Sequence, residues 1–223
     1  MPAPYFQAVF SGPAPDVYPH WQKYVKGDFL ASPSRDASAS RGALYDIIPN
    51  PMGRLPPDDS TSLVVLESEN LRCLQSDDLL AVTQLSASPV DSRLYEFIES
   101  FDPLELRAVA DSPIDTPGPF ILQAEADPAD VGEYIEFYRE DHAPMMAKHP
   151  GYLRTTLYRL KGVQGGQFNV PAPLMIIHEF RHLEGLGSQI TKDSIETEFA
   201  KRVFPKVRSM KARTMKLVYA HGY

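Results

Sequence analysis

The sequence predicts an α+β fold made of two similar β-α-β-β-α-β units, and three observations carry that prediction. Apolar runs suited to strands alternate along the 223-residue chain with stretches whose apolar residues fall at helical spacing. Their order, the split βαβ arrangement, occurs twice. A proline-rich segment, "DSPIDTPGP" at residues 111–119, separates the two copies. The expected halves are residues 1–112 and 113–223, with their sheets packed face to face. A single continuous α+β domain is the alternative.

In the first half, "YFQAVFS" reads as a strand. "DVYPHWQKYVKG" reads as a helix capped by Asp16, with an aromatic face and a terminating Gly27. "GALYDII" and "SLVVLES" are two strands joined by the proline-rich "IIPNPMGRLPPDD". Leu94, Phe97, Ile98 and Phe101 give "DSRLYEFIESF" an apolar helical face, and "LELRAVA" is expected to close the half as a strand.

The second half repeats the layout. "PFILQAEA" is a strand, and "DPAD" offers Asp127 as an N-cap with Pro128 at the first helical position. Val131, Tyr134, Ile135, Tyr138 and Met145 then fall at helical spacing. "YLRTTLYRL" and "LMIIHEF" are strands flanking the loop "KGVQGGQFNVPAP". Ile195, Phe199 and Val203 form an i, i+4, i+8 stripe on a helix, and "ARTMKLVYA" is the last strand. Each half is thus expected to be a ferredoxin-like unit. Internal pairing of the two makes a monomer the expected state.

Composition removes several classes of function. The net charge is −7 and no Lys/Arg-rich block occurs, which argues against nucleic acid as a partner. No uninterrupted apolar segment approaches the roughly 20 residues that cross a bilayer, so no membrane association is expected. The start "MPAPYFQAVFSG" lacks the pattern of a secretory signal, and Cys73 is the only cysteine, so the expected location is cytoplasmic. "KGVQGGQF" lacks the Lys-Ser/Thr of a phosphate loop and the dinucleotide fingerprint. There is no H-E-x-x-H or G-x-S-x-G pattern. Neither a metal nor a cofactor is expected.

The segment "FYREDHAP" carries the main chemical signal. Ala143 precedes Pro144 and is biased away from helical geometry, so the helix is expected to break or kink there and project His142 into a cleft. An imidazole in that position suits proton transfer. It equally suits a hydrogen-bonded tie between helix end and loop. Asp141 and His142 point about 100° apart on a helix, so no direct dyad is implied. His178 shares a strand face with Ile176 and Phe180. It is either a satisfied core group or a polar point in an apolar ligand wall.

These residues resemble a known pattern. "FYREDHAP", "HPGYLRTTLYRL" and "LMIIHEF" resemble the EthD-like branch of the dimeric α/β-barrel superfamily, and more narrowly its fungal, internally duplicated members. Their pattern runs W-Y-x-x-E-H-x-P, then P-G-[FYW], then Y-L-x-[LI]-[YH]-E. Here Phe137 replaces the tryptophan and Asp141 the glutamate, while Tyr138, His142, Pro144, Pro150, Gly151 and His178-Glu179 match. Placing Trp21 against Phe137 puts Lys26 where the second half has His142, so the first half lacks the acid-histidine pair. The resemblance implies a small hydrophobic, oxygenated, polyketide-like ligand held between sheet and helices. It implies a cofactor-independent enzyme that cyclises, isomerises or decarboxylates by proton transfer. His142 would be the general acid or base, Asp141 would tune it, and Tyr138 or His178 would stabilise an enolate-like oxygen. Phe137, Tyr138, Met145 and Tyr158 would contact the substrate. The alternatives are a non-catalytic carrier of such ligands and a heme-linked or cofactor-free oxygenase.

Overall fold

Strand residues of one parity face inward and those of the other face the helices, so the alternation in the sequence resolves into two kinds of core. In the computed structural model, residues 3–31, 41–53, 58–69, 78–102, 116–165 and 170–223 are described. The first six elements are β1 (Tyr5–Ser11), α1 (Tyr18–Tyr24), β2 (Arg41–Ile48), β3 (Ser62–Ser68), α2 (Asp78–Ser86) and β4 (Val90–Phe101). Next come β5 (Phe120–Pro128), α3 (Val131–Phe137), α4 (Ala143–Met146), β6 (Tyr152–Gly165) and β7 (Leu174–Phe180). α5 (Gln189–Glu196), α6 (Glu198–Val203) and β8 (Val207–His221) complete the chain. The strands form one closed antiparallel barrel in the order β1-β3-β2-β8-β5-β7-β6-β4. Its two arcs, β4-β1-β3-β2 and β8-β5-β7-β6, follow the same order. Closure leaves no free sheet edge. Among the described residues, no helix is long and apolar enough to cross a membrane.

The barrel interior is a packed core of Phe6, Phe10, Tyr45, Tyr95, Tyr158 and Met175 with their neighbours. A buried ionic network lies with it. Arg93 reaches Asp91 and Glu125 at 2.5 Å, while Arg213 contacts Glu125 at 2.7 Å and also pairs with Asp58. Both guanidinium groups stack on Phe10, at 5.0 and 4.6 Å from its ring centre. Removing one partner would strand a buried charge, at a cost of about 3–5 kcal/mol. The outer faces carry two helix-covered cores, one around Trp21, Phe29 and Leu66, the other around Tyr134, Phe137 and Leu157.

Several expectations are corrected. "DSRLYEFIESF" is strand β4, not a helix, and the helix of that arc lies upstream at α2. Its apolar residues fit both periods, and pairing with β1 on one side and β6 on the other decides the matter. "LELRAVA" and Cys73 lie outside the described residues. Asp16 does not cap α1, whose N-cap is Val17, and Gly27 sits inside a helical turn rather than ending it. β5 runs on through Pro128, so Asp130 becomes the cap of α3 and accepts from the Glu133 amide at 3.0 Å. Residues 189–203 form two helices, broken at Thr197, so Ile195 does not share a stripe with Phe199 and Val203.

The expected break at Ala143-Pro144 takes another form. Ala143 is helical (φ −67°, ψ −41°), and residues Tyr138–His142 form a π-turn in which the Ala143 amide bonds to the Tyr138 carbonyl. The extra residue widens the helix where the Pro144 ring would otherwise meet the carbonyl of Glu140. Proline is not the cause of the widening. Val25–Phe29 forms the same π-turn after α1, with the Leu30 amide bonded to Val25 at 2.8 Å and Ala31 in the place of Pro144.

Candidate functional site

The second π-turn turns Tyr138 and His142 toward the outer face of β5 and β7. Between them lies a cavity of about 250 Å³. Leu122 and Ala124 of β5, His178 of β7, and Met210 and Ala212 of β8 line its floor. Tyr138, His142 and Met146 line the wall, and Thr191, Ser194 and Ile195 of α5 stand opposite with Met52 and Phe204. No charged side chain among the described residues lines it. Ile195 and Met210 are the solvent-exposed members, each 41% exposed, which places an apolar rim at the opening.

His142 is held by the break between α5 and α6. Thr197 is extended (φ −63°, ψ 162°), so the helix that would have used the Ser194 carbonyl stops short of it. That carbonyl lies 3.0 Å from His142 Nδ1. A carbonyl can only accept, so Nδ1 carries the proton and Nε2 is left with its lone pair. Burial lowers the His142 pKa from 6.5, against smaller upward pulls from Ser194 and Asp141. The ring is therefore neutral at neutral pH.

His178 is 2% exposed, and its pKa is pushed well below 6.5 by burial first and by His142 second. Its Nδ1 lies 2.7 Å from the Thr155 hydroxyl on β6. The two imidazoles meet edge to face with centres 5.5 Å apart, and Tyr138 packs on both, at 4.8 Å from His142 and 5.8 Å from His178. Burial also raises the Tyr138 pKa well above 10, so its phenol stays protonated. Tyr138 further borders a second cavity of about 240 Å³, together with Ser100, Phe101 and the exposed Arg139–Glu99 pair.

The other predicted residues fall elsewhere. Asp141 accepts from the Thr197 hydroxyl, which in turn accepts from the Ala200 amide at 3.0 Å as the cap of α6. It ties the π-turn to the helix break rather than bonding to His142. Phe137 packs behind the site against Phe199, Phe204 and His142. Met145 turns outward, where Lys148 bonds to its sulfur at 3.0 Å, and Met146 takes the expected place in the wall because the π-turn shifts the helical phase by one residue. Tyr158 points into the barrel and stacks on Phe6 at 4.6 Å. Sequence reasoning missed Ser194, Thr191, Thr155 and the floor from β5 and β8. None of these carries a local signal, since only barrel closure and the helix break bring them to the cavity.

The fold itself is shared with solved structures. An anthrone oxidase-like protein superposes with a TM-score of 0.65 at 11% identity, covering 97% of this chain and 92% of that one. A monooxygenase candidate from Fusobacterium nucleatum gives 0.60 at 10% identity over 100% and 96%. A mutant chlorite dismutase from Candidatus Nitrospira defluvii, in complex with cyanide, gives 0.57 at 10% over 97% and 92%. No protein-family model matches the sequence. No curated protein matches it either. At these identities the likeness shows the fold alone, an α+β closed antiparallel barrel.

Proposed function

We propose that the chain is an internally duplicated protein of the EthD-like fungal type, its halves 1–112 and 113–223 each a ferredoxin-like repeat. The second half would house a cofactor-independent enzyme for a small hydrophobic, oxygenated, polyketide-like molecule. The observation that carries this reading is a neutral His142 whose Nε2 lone pair is left free beside an uncharged, largely apolar cavity. Such a nitrogen can take a proton from an acidic C–H or hydroxyl without first losing one to bulk water. The protonated Tyr138 and the His178 ring stand beside it to stabilise the enolate-like oxygen that results. Proton transfer of this kind initiates cyclisation, isomerisation or decarboxylation. It also generates the carbanion that a cofactor-free oxygenase needs, a second reading favoured by the names of the anthrone oxidase-like and monooxygenase neighbours.

Asp141 would act through position, by holding the helix break that presents the Ser194 carbonyl. A heme does not suit the cavity. Its volume of about 250 Å³ is too small for a porphyrin, and no cation among the described residues lines it to meet the propionates.

The test is isotope exchange at carbon. Incubated in D2O with 1-tetralone, 2-tetralone or anthrone, the wild-type protein is expected to speed deuterium uptake at the acidic C–H, beside the carbonyl in the tetralones and at the methylene across the central ring in anthrone, read by NMR. His142→Gln keeps hydrogen bonding but cannot shuttle the proton, and should slow exchange by about 10²-fold or more. Binding without exchange would instead make the protein a carrier. Oxygen uptake with the same compounds would identify the oxygenase.

A further inference from the structure

The proton on His178 is fixed by residues outside the cavity. Tyr152 donates to Thr155 Oγ1 at 2.7 Å, and Thr155 Oγ1 lies 2.7 Å from His178 Nδ1. All three side chains are buried, with Thr155 at 0% exposure. A hydroxyl has one proton to give. If Thr155 accepted from both neighbours, its own proton would be buried without an acceptor, at a cost comparable to a lost hydrogen bond. The Tyr152 hydroxyl also lies 3.4 Å from the Phe101 carbonyl, beyond the normal O–H···O range, so its 2.7 Å bond to Thr155 is the stronger of the two. With Tyr152 as donor, the arrangement that satisfies Thr155 runs from Tyr152 to Thr155 to His178 Nδ1. The His178 proton then sits on Nε2.

We propose that Tyr152 and Thr155 are positioning residues that hold His178 in its Nε2–H form, so that the cavity offers one donor and, at His142, one acceptor. This rests on reading the cavity as the ligand site. Two imidazoles 5.5 Å apart in opposite tautomers match a neutral molecule that carries a carbonyl near a hydroxyl or an acidic C–H. They do not match a carboxylate, which would have to leave water and would meet no cation among the described residues that line the cavity. The same assignment gives the chemistry a direction. The substrate proton moves to His142, and the developing oxyanion is met by His178 N–H.

Long-range 1H–15N NMR of the ligand-free protein reads the tautomers directly. The expected spectrum has the bare nitrogen at Nδ1 in His178 and at Nε2 in His142. Thr155→Val should release the His178 tautomer, and Thr155→Ser should restore it. Calorimetry with 1-tetralone, 1-naphthol and 1-naphthoate reads the consequence. Thr155→Val should weaken 1-tetralone by about fivefold, one hydrogen bond's worth, and leave 1-naphthol unchanged, while 1-naphthoate binds far more weakly than either to the wild type. A wild-type His178 protonated at Nδ1 overturns the proposal, as does a Thr155→Val protein with unchanged His178 signals. If Thr155→Val does not fold, Tyr152→Phe carries the same test, because it frees the Thr155 oxygen to accept and should mix the two tautomers. Expected spectra with no binding of either neutral probe would keep the tautomer lock and overturn the reading of the cavity as a ligand site.

Discussion

The two arcs of the barrel use one scaffold to opposite ends. Each carries a helix that widens into a π-turn, Val25–Phe29 after α1 and Tyr138–His142 after α3. Matching these turns puts Phe29, not Lys26, in the place of His142, and Trp21 in the place of Tyr134. The strand registers agree. Leu66 pairs with Gln7 of β1 as His178 pairs with Leu122 of β5, and the next residue in each strand, Glu67 or Glu179, pairs with an arginine of the adjoining strand. The framework is kept where it closes the barrel. The difference lies at two positions under the helix, where Phe29 and Leu66 join Trp21 and Leu30 in a packed cluster, while His142 and His178 border a cavity. A π-turn with a buried phenylalanine shows that the turn is a packing device of this barrel in its own right. Placing a histidine on it, with a helix break opposite, is what makes a site.

The harshest test of this contrast is to write the second arc into the first. Leu66→His puts an imidazole among apolar neighbours, with Gly42 of β2 paired opposite it where Thr155 of β6 pairs with His178. The loss of leucine burial plus an unpaired polar ring should cost about 3–5 kcal/mol, read by urea unfolding. A cost under about 1 kcal/mol would mean that the first arc also has room and partners for a polar group, and the contrast would collapse.

Much of this was legible in the sequence. The element order of the second half, and the face that His178 shares with Ile176 and Phe180, followed from apolar periodicity, whereas the first half's last helix was placed on what is β4. Tyr138 and His142 were singled out by the residues around Pro144, where the physical form is a π-turn and not a break. What stayed hidden depends on closure. Thr155 reaches His178 because β6 and β7 pair in register, with Thr155 directly opposite. Ser194 reaches His142 across 52 positions of sequence through a helix break that no proline or glycine marks. Met145 and Tyr158 were misplaced for local reasons. An extra residue in the helix moved one, and the strand's parity turned the other inward.

Acid should separate the arcs next. His142 and His178 both have pKa values depressed by burial relative to 6.5, so the unfolded chain takes up their protons first as pH falls. Their contribution to stability is full above 6.5 and is lost as pH drops through the depressed folded values. Melting temperatures measured below 6.5 should therefore fall more steeply for the wild type than for His142→Phe/His178→Leu, which copies the first arc's residues. Parallel curves would show that neither ring is kept neutral by the fold.

A smaller effect is expected at the helix break. Thr197 caps α6 and donates to Asp141, so Thr197→Ala should cost about 1–2 kcal/mol, with Thr197→Ser recovering most of it. If the break positions His142, Thr197→Ala should also blur the His142 tautomer in the ring-nitrogen spectrum, while leaving His178 unchanged. A stability loss with both signals intact would reduce Thr197 to a cap.

The smallest effect, and the sharpest on mechanism, belongs to Asp141→Asn. The amide oxygen can still accept from Thr197, so stability should change by about 0.5 kcal/mol or less. What the substitution removes is charge. The Asp141 charge raises the His142 pKa, but it ranks behind burial and the Ser194 bond among the influences on that ring. Losing it favours the neutral form, which the ring already adopts at neutral pH. Deuterium exchange into 1-tetralone should therefore stay within about threefold of wild type. Asp141→Ala, which breaks the tie as well, should resemble Thr197→Ala in both stability and the His142 signal. The opposite pattern, a folded Asp141→Asn protein that loses exchange by about 10²-fold, would make Asp141 a tuning acid for His142 and not a structural tie. The difference between the arcs would then be one of charge rather than of packing.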